Sequence, residues 1–151
     1  MGTRSLTTII AKGEYEGKKW SEKIVTMYRQ MDGYPKGMGV DLATFINGGT
    51  LVNGIQLSEK RLVFNGAGCL AAQIVEHFKD GAGGIYLHRG GSTNLGEEYR
   101  YEVIIDEETD TITFKVMETR GYYDKNKNYR LRGKTIFQGT ADEFLKSQLV
   151  T

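Results

Sequence analysis

The sequence predicts an α+β domain: an antiparallel sheet of about six or seven strands carrying three helices. Three observations predict it. Segments rich in Thr, Ile, Val and Tyr alternate in polarity with period two and are joined by short turns, as hairpins are. Three other stretches carry apolar residues at helical spacing. Strands and helices never follow the repeated β-α-β order that builds a parallel sheet. No repeat at a solenoid period is present, and 151 residues suit a single domain spanning 1–151.

Leu6 to Ala11, rich in Thr and Ile, predicts the first strand. Lys12 to Lys23 is polar, broken by Gly13 and Gly17, and is expected as a loop or an extended hairpin tip, with the second strand following from Lys23 to Gln30. Asp32 to Gly39 is turn chemistry: Pro35 fixes φ, while Gly33, Gly37 and Gly39 are free to take positive φ. Val40 to Asn47 spaces Leu42, Phe45 and Ile46 as a short helix, with Gly48-Gly49 as its C-cap. Leu51 to Val63 is expected as loop with a short extended piece.

Gly66-Ala-Gly68 opens the strongest helix, running to about Asp80, where Leu70, Ile74 and Phe78 recur every four residues and Gly81 closes it. Gly84 to His88 is a strand. Glu98 to Asp106 and Thr111 to Glu118 form a hairpin through the acidic turn Asp106–Asp110, with Tyr99, Tyr101, Val103 and Ile105 on one face and Ile112, Phe114 and Val116 on the partner. A further hairpin runs through Tyr122-Tyr123, turns at Lys125–Asn128 and returns through Tyr129 to Phe137. Thr140-Ala-Asp-Glu143 is a capping box, so the chain ends in a helix.

Composition narrows the function classes. An apolar fraction of 39% with 26% charged residues describes a soluble globular protein, and a net charge of +1 gives no global pull toward membrane or long nucleic acid. No apolar run reaches the ~18 residues of a membrane span, and Met1 to Leu6 has no signal-peptide character. A single cysteine makes neither an internal disulfide nor a thiolate metal site, so a cytoplasmic protein is expected. Glycine is the unusual residue: 20 in all, 14 of them between Gly33 and Gly96, interleaved with apolar residues rather than strung into a linker.

Two of these glycine stretches precede helices. Gly66-Ala-Gly68-Cys-Leu-Ala71 has the bare spacing of a dinucleotide fingerprint, but the acidic ribose ligand is missing and the surrounding elements are hairpins, which excludes a Rossmann domain. What survives is a glycine loop entering a helix N-terminus, where N–H groups and the dipole suit an anion; a plain tight turn explains it equally. Gly37-Met-Gly39 is the second, with Arg29, Gln30, Asp32, Tyr34 and Lys36 around it. Arg and Lys suit phosphate, Tyr34 a base face, Asp32 and Gln30 base edges. A structural turn with solvated charges is the alternative.

Lys115 to Lys134 carries seven Lys or Arg against two acids, and Glu97 to Asp110 seven acids against one Arg. The basic stretch, interleaved with Tyr122, Tyr123 and Tyr129, has some features of a nucleic-acid strand binder. Its alternation reads better as a solvated or subunit-pairing face that the acidic hairpin neutralises. Catalytic sets are thin. His77 and His88 have no metal-ligand spacing, Cys69 reads as a small core residue, and Glu97-Glu98 point to opposite sides of a strand. No catalytic residue, metal or cofactor is expected.

Met1 to Thr7, Met27 to Gly39 (Met-Tyr-Arg-Gln-Met-Asp-Gly-Tyr-Pro-Lys-Gly-Met-Gly), Phe64 to Gln73 and Gly96 to Tyr99 resemble a family of small proteins of tailed phages and prophages. That family in turn resembles the phage anti-CBASS sponges. The resemblance implies a protein of the infected host's cytoplasm that holds a cyclic dinucleotide such as cyclic GMP–AMP without cleaving it, as a homo-oligomer, a tetramer. It carries over no ligand contacts, and Lys12 to Glu22 lies outside it. The residues themselves supply the candidates: Arg4, Arg29 and Lys36 for phosphates, Gln30 and Asp32 for base edges, Tyr34 and Tyr86 for stacking, and Gly37, Gly39, Gly66 and Gly68 for close backbone approach. A nucleotide-degrading phosphodiesterase, or an inhibitor that binds a host protein directly, are the alternative functions.

Overall fold

The structure is a computed structural model, and it describes residues 2–52 and 62–149. The strands are β1 (Ser5–Tyr15), β2 (Lys18–Arg29), β3 (Gly49–Val52), β4 (Leu62–Asn65), β5 (Ile85–Arg89), β6 (Tyr99–Asp106), β7 (Thr111–Tyr123) and β8 (Tyr129–Gly139). The helices are α1 (Val40–Asn47), α2 (Gly66–Phe78) and α3 (Ala141–Gln148), and a π-helical turn, Pro35–Gly39, leads into α1. Six strands form the main sheet in the order β5-β2-β1-β6-β7-β8, and β3 and β4 form a small parallel pair. The fold is α+β, as expected.

The main sheet is mixed rather than purely antiparallel: β1 and β6 run parallel at its centre, Ser5 opposite Tyr99 through Lys12 opposite Asp106. A parallel pair needs a long crossover, and here everything from β2 to β5 provides it. Of the two expectations for Lys12 to Lys23, the extended hairpin tip is the one observed. The β1–β2 ladder continues to Tyr15 opposite Lys18, closed by Glu16 and Gly17 at φ 50° and 78°, the two positive φ values of a type I′ hairpin. The segment is polar because this hairpin projects past the core, and exposed strands need no apolar face. Likewise Thr111 to Tyr123 is one strand, with a register shift after Val116. Part of the Leu51–Val63 loop prediction lies outside the described residues; its ends are β3 and β4.

The helices cover one face of the sheet. The core gathers Ile9, Met27, Tyr101, Val103, Ile105, Phe114 and Val116 from the strands, with Leu42 and Ile46 of α1, Leu70 and Ile74 of α2, and Phe144 of α3. At ~25 cal/mol per Å² removed from water, such side chains supply most of the favourable folding energy. Thr140 caps α3 by accepting from the Glu143 N–H while the Glu143 carboxylate accepts from the Thr140 N–H, the expected capping box. On the other face, residues 90–98 cross the sheet. The Gly91 N–H donates to Thr26 Oγ1, the Thr119 hydroxyl donates to the Glu97 carbonyl, and the Leu131 N–H donates to Asn94 Oδ1. No helix among the described residues is long and apolar enough to cross a membrane.

Candidate functional site

A cleft of about 360 Å³ opens where the ends of β2 and β5 meet the start of α1 and the end of α2. Three sequence candidates line it: Arg29, Gln30 and Asp32. Asp41, His77, Phe78, Asp80, Gly83 and Gly84 complete its walls. The chain reaches this shape through strained turns. Asp32 sits at φ 57° and Gly83 and Gly84 at 79° and 77°, left-handed conformations that glycine accepts freely and Asp tolerates.

Arg29 is committed largely within the chain. Its Nε donates to the Met31 carbonyl at 2.8 Å, one terminal nitrogen contacts Met38 Sδ at 2.8 Å, and the other lies 3.8 Å from Asp41. It therefore holds the 30–39 loop against α1, and only its loose Asp41 side remains for a ligand. The His77 ring stacks on Phe45 at 4.4 Å and meets Phe78 edge-on at 4.7 Å, so the end of α2 presents an aromatic cluster with two perpendicular rings. The pairing of His77 with Phe45, 32 positions away, has no local signal in the sequence.

The remaining candidates are dispersed. Gly37 and Gly39 build the loop. The Gly37 and Gly39 N–H groups donate to the Tyr34 carbonyl and that of Met38 to the Asp32 carbonyl, so these amides are spent on the π-helical turn and cradle no anion. A Cβ at Gly39 would lie 3.0 Å from Phe144 Cζ and 3.2 Å from Tyr101 Cε1, which explains this glycine by packing. Beneath the same loop the Tyr101 hydroxyl donates to the Gly33 carbonyl at 2.6 Å; burial pushes that hydroxyl far above its usual range, so it stays a donor. Tyr34 is exposed, and Lys36 lies in the turn beside it.

Gly66 and Gly68 start α2, whereas the cleft touches its other end, about 18 Å away along a 13-residue helix. The two glycine loops therefore do not converge on one ligand. Tyr86 pairs with Tyr28 across β5 and β2, on the face opposite Arg29 and Ile85, and the Lys79 ammonium sits 5.6 Å from its ring centre. Arg4 lines a different cleft, of about 320 Å³, with Gly96, Glu98 and Tyr129, and its Nε is buried with no hydrogen-bond partner.

Two further features were not legible in the sequence. Glu97 is buried, and its carboxylate accepts from Arg100 Nε at 2.7 Å and from the Leu95 N–H at 2.7 Å, so it anchors the 90–98 crossing. A cleft of about 490 Å³ runs along the β1–β2 hairpin beside Trp20 and the β6–β7 turn. No group of three His, Cys, Asp or Glu side chains that could hold a metal occurs among the described residues. No family model, curated protein or solved structure matches the chain. The site must be read from its own chemistry.

Proposed function

We propose that the chain binds and sequesters a cyclic dinucleotide of the cyclic GMP–AMP class without cleaving it, as a phage-encoded block on host CBASS signalling in the cytoplasm of the infected cell. The observation that carries this reading is the cleft at the end of β2, where Arg29, Gln30 and Asp32 face the His77–Phe78 wall. Its volume falls in the range of small-ligand sites, ~300–1,000 Å³. Its lining holds one guanidinium against three carboxylates, Asp32, Asp41 and Asp80. Recognition there is consequently of base edges first: a carboxylate accepts the adjacent N–H donors of guanine, and His77 or Phe78 covers the base face. The open side of Arg29 supplies one contact to phosphate.

Assembly as a homo-oligomer belongs to the same proposal. The outer edge of β5 is unpaired in the sheet order, with Tyr86 and Leu87 exposed, and such edges invite a second strand. The test is incubation with cyclic GMP–AMP, a thermal melt, then denaturation and recovery of the ligand. The expected result is a rise of several degrees, intact ligand on release, and a loss of at least tenfold in affinity for Asp32→Asn. Cleaved products would make the protein a phosphodiesterase. No shift with any cyclic nucleotide, together with capture of a host protein, would make it a direct inhibitor.

A further inference from the structure

We propose that the outer ends of β7 and β8 form a second binding surface, separate from the β2 cleft, for single-stranded nucleic acid. In the β7–β8 register Arg120 stands opposite Arg132, Tyr122 opposite Arg130, and Glu118 opposite Lys134. Alternation then puts four cations against one acid, Glu118, with Tyr122 on one face of this ribbon. Like charges directly opposite destabilise a strand pair, so two facing arginines need a compensating anion.

Among the described residues Arg130 has Asp124 at 3.3 Å, but Arg120, Arg132 and Lys134 have no carboxylate within ion-pair reach. Of the acidic hairpin that the sequence offered as a neutralising neighbour, three acids pair elsewhere: Glu97 with Arg100, Glu102 with Lys115, Asp106 with Lys12. Its turn also lies at the opposite end of β7, about 30 Å from Arg120 at the rise of a strand.

The shape selects a nucleotide strand over a bare anion. The Arg132 guanidinium lies over the Tyr122 ring at 4.3 Å, leaving its outer plane for a base to extend the stack. A shallow cleft of about 390 Å³ runs over these groups, with Gly121 and Gly133 as its floor. Arg132 and Lys134 are two positions apart, ~6.8 Å along the strand, close to the spacing of consecutive phosphates in an extended single strand. A duplex hides the base faces that this stack would meet, so an unpaired strand is the better partner.

The experiment is fluorescence anisotropy of a labelled oligothymidylate on the full chain. Three neutralised phosphates give a salt slope near −2, so affinity should fall about twentyfold between ~50 and ~200 mM salt. Arg120→Glu with Arg132→Glu should abolish binding, and Tyr122→Ala should weaken it about tenfold. A melt of each variant checks folding, and Lys134→Glu, at an exposed position, gives a second reading that does not touch the arginine pair. Excess cyclic GMP–AMP should leave the oligonucleotide bound, and Asp32→Asn should not affect it, so this surface and the proposed cleft fail separately. Any of three results would overturn the proposal: heparin binding as tightly as the oligonucleotide, displacement by cyclic GMP–AMP, or no oligonucleotide binding with a salt-sensitive dimer that Arg120→Glu abolishes.

Discussion

Replacing Tyr101 by Phe removes one oxygen from the point where the core supports the candidate site. Tyr101 is fully buried on β6, stacked 6.1 Å from Phe114, and donates 2.6 Å to the Gly33 carbonyl. Phe keeps the ring contacts, so the apolar burial is unchanged. What is lost is the donor to a dry carbonyl, and leaving that carbonyl unsatisfied costs about 1–3 kcal/mol. For 151 residues the unfolding entropy is about 0.3 kcal/mol/K, so Tm should drop by about 3–9 °C.

The alkaline limb gives a second, independent check. Burial raises the Tyr101 hydroxyl above its ordinary value of 10.0. The unfolded chain therefore loses this proton first. The stability contributed by keeping Tyr101 protonated is complete below pH ~10 and declines as pH rises toward the folded value, by about 1.4 kcal/mol per pH unit. Phe has no proton to lose, so the gap between wild type and Tyr101→Phe should narrow above pH ~10. Urea unfolding followed by circular dichroism at pH ~8, ~10 and ~11 measures both effects. A neutral-pH gap below ~0.5 kcal/mol, or one that does not change with pH, would refute the reasoning.

Other perturbations test other joints. Arg100→Met leaves the buried Glu97 carboxylate with backbone donors alone and should cost about 3–5 kcal/mol, read from urea midpoints. Thr140→Ala removes the α3 cap and should cost about 1 kcal/mol. The Thr140 N–H bond to Glu143 holds that carboxyl below its ordinary range, so its contribution is present at neutral pH and lost on acidification; Ala keeps that N–H, so it is wild type and Glu143→Ala that should converge in acid melts. Gly39→Ala forces Phe144 or Tyr101 to yield and should destabilise by about 1–3 kcal/mol even though the helical backbone at this position favours Ala over Gly. Gly13→Leu puts a side chain where the ring of the single tryptophan, Trp20, now lies, 2.8 Å from the added Cβ; a shift in emission wavelength with little change in Tm is expected.

Local chemistry was readable where a few neighbouring residues decide the structure. The α1 limits, the α3 capping box, the Lys125–Asn128 turn and the inward face of β6 and β7 all rest on periodicity or on hydrogen bonds within four positions. The candidate site was legible only in part. Arg29, Gln30 and Asp32 share a cleft because they are consecutive or nearly so, whereas His77, Phe78 and Asp80 join them only through the packing of α2. Arg4, Tyr86, Gly66 and Gly68 were grouped by residue type, and the fold disperses them.

The glycines show where the boundary falls. Composition placed 14 of 20 in the middle of the chain, and turn chemistry accounts for those with positive φ, such as Gly83 and Gly84. Gly39 has an ordinary helical φ of −58°; its need for hydrogen in place of a methyl group comes from Phe144, more than a hundred residues later. The same holds for the sheet. Alternation marks which residues of β6 face inward, but its parallel pairing with β1 depends on the whole crossover between them. Sequence determines what each segment prefers, since those preferences are local; which segments meet, and which charges find partners, is settled by burial of the common core.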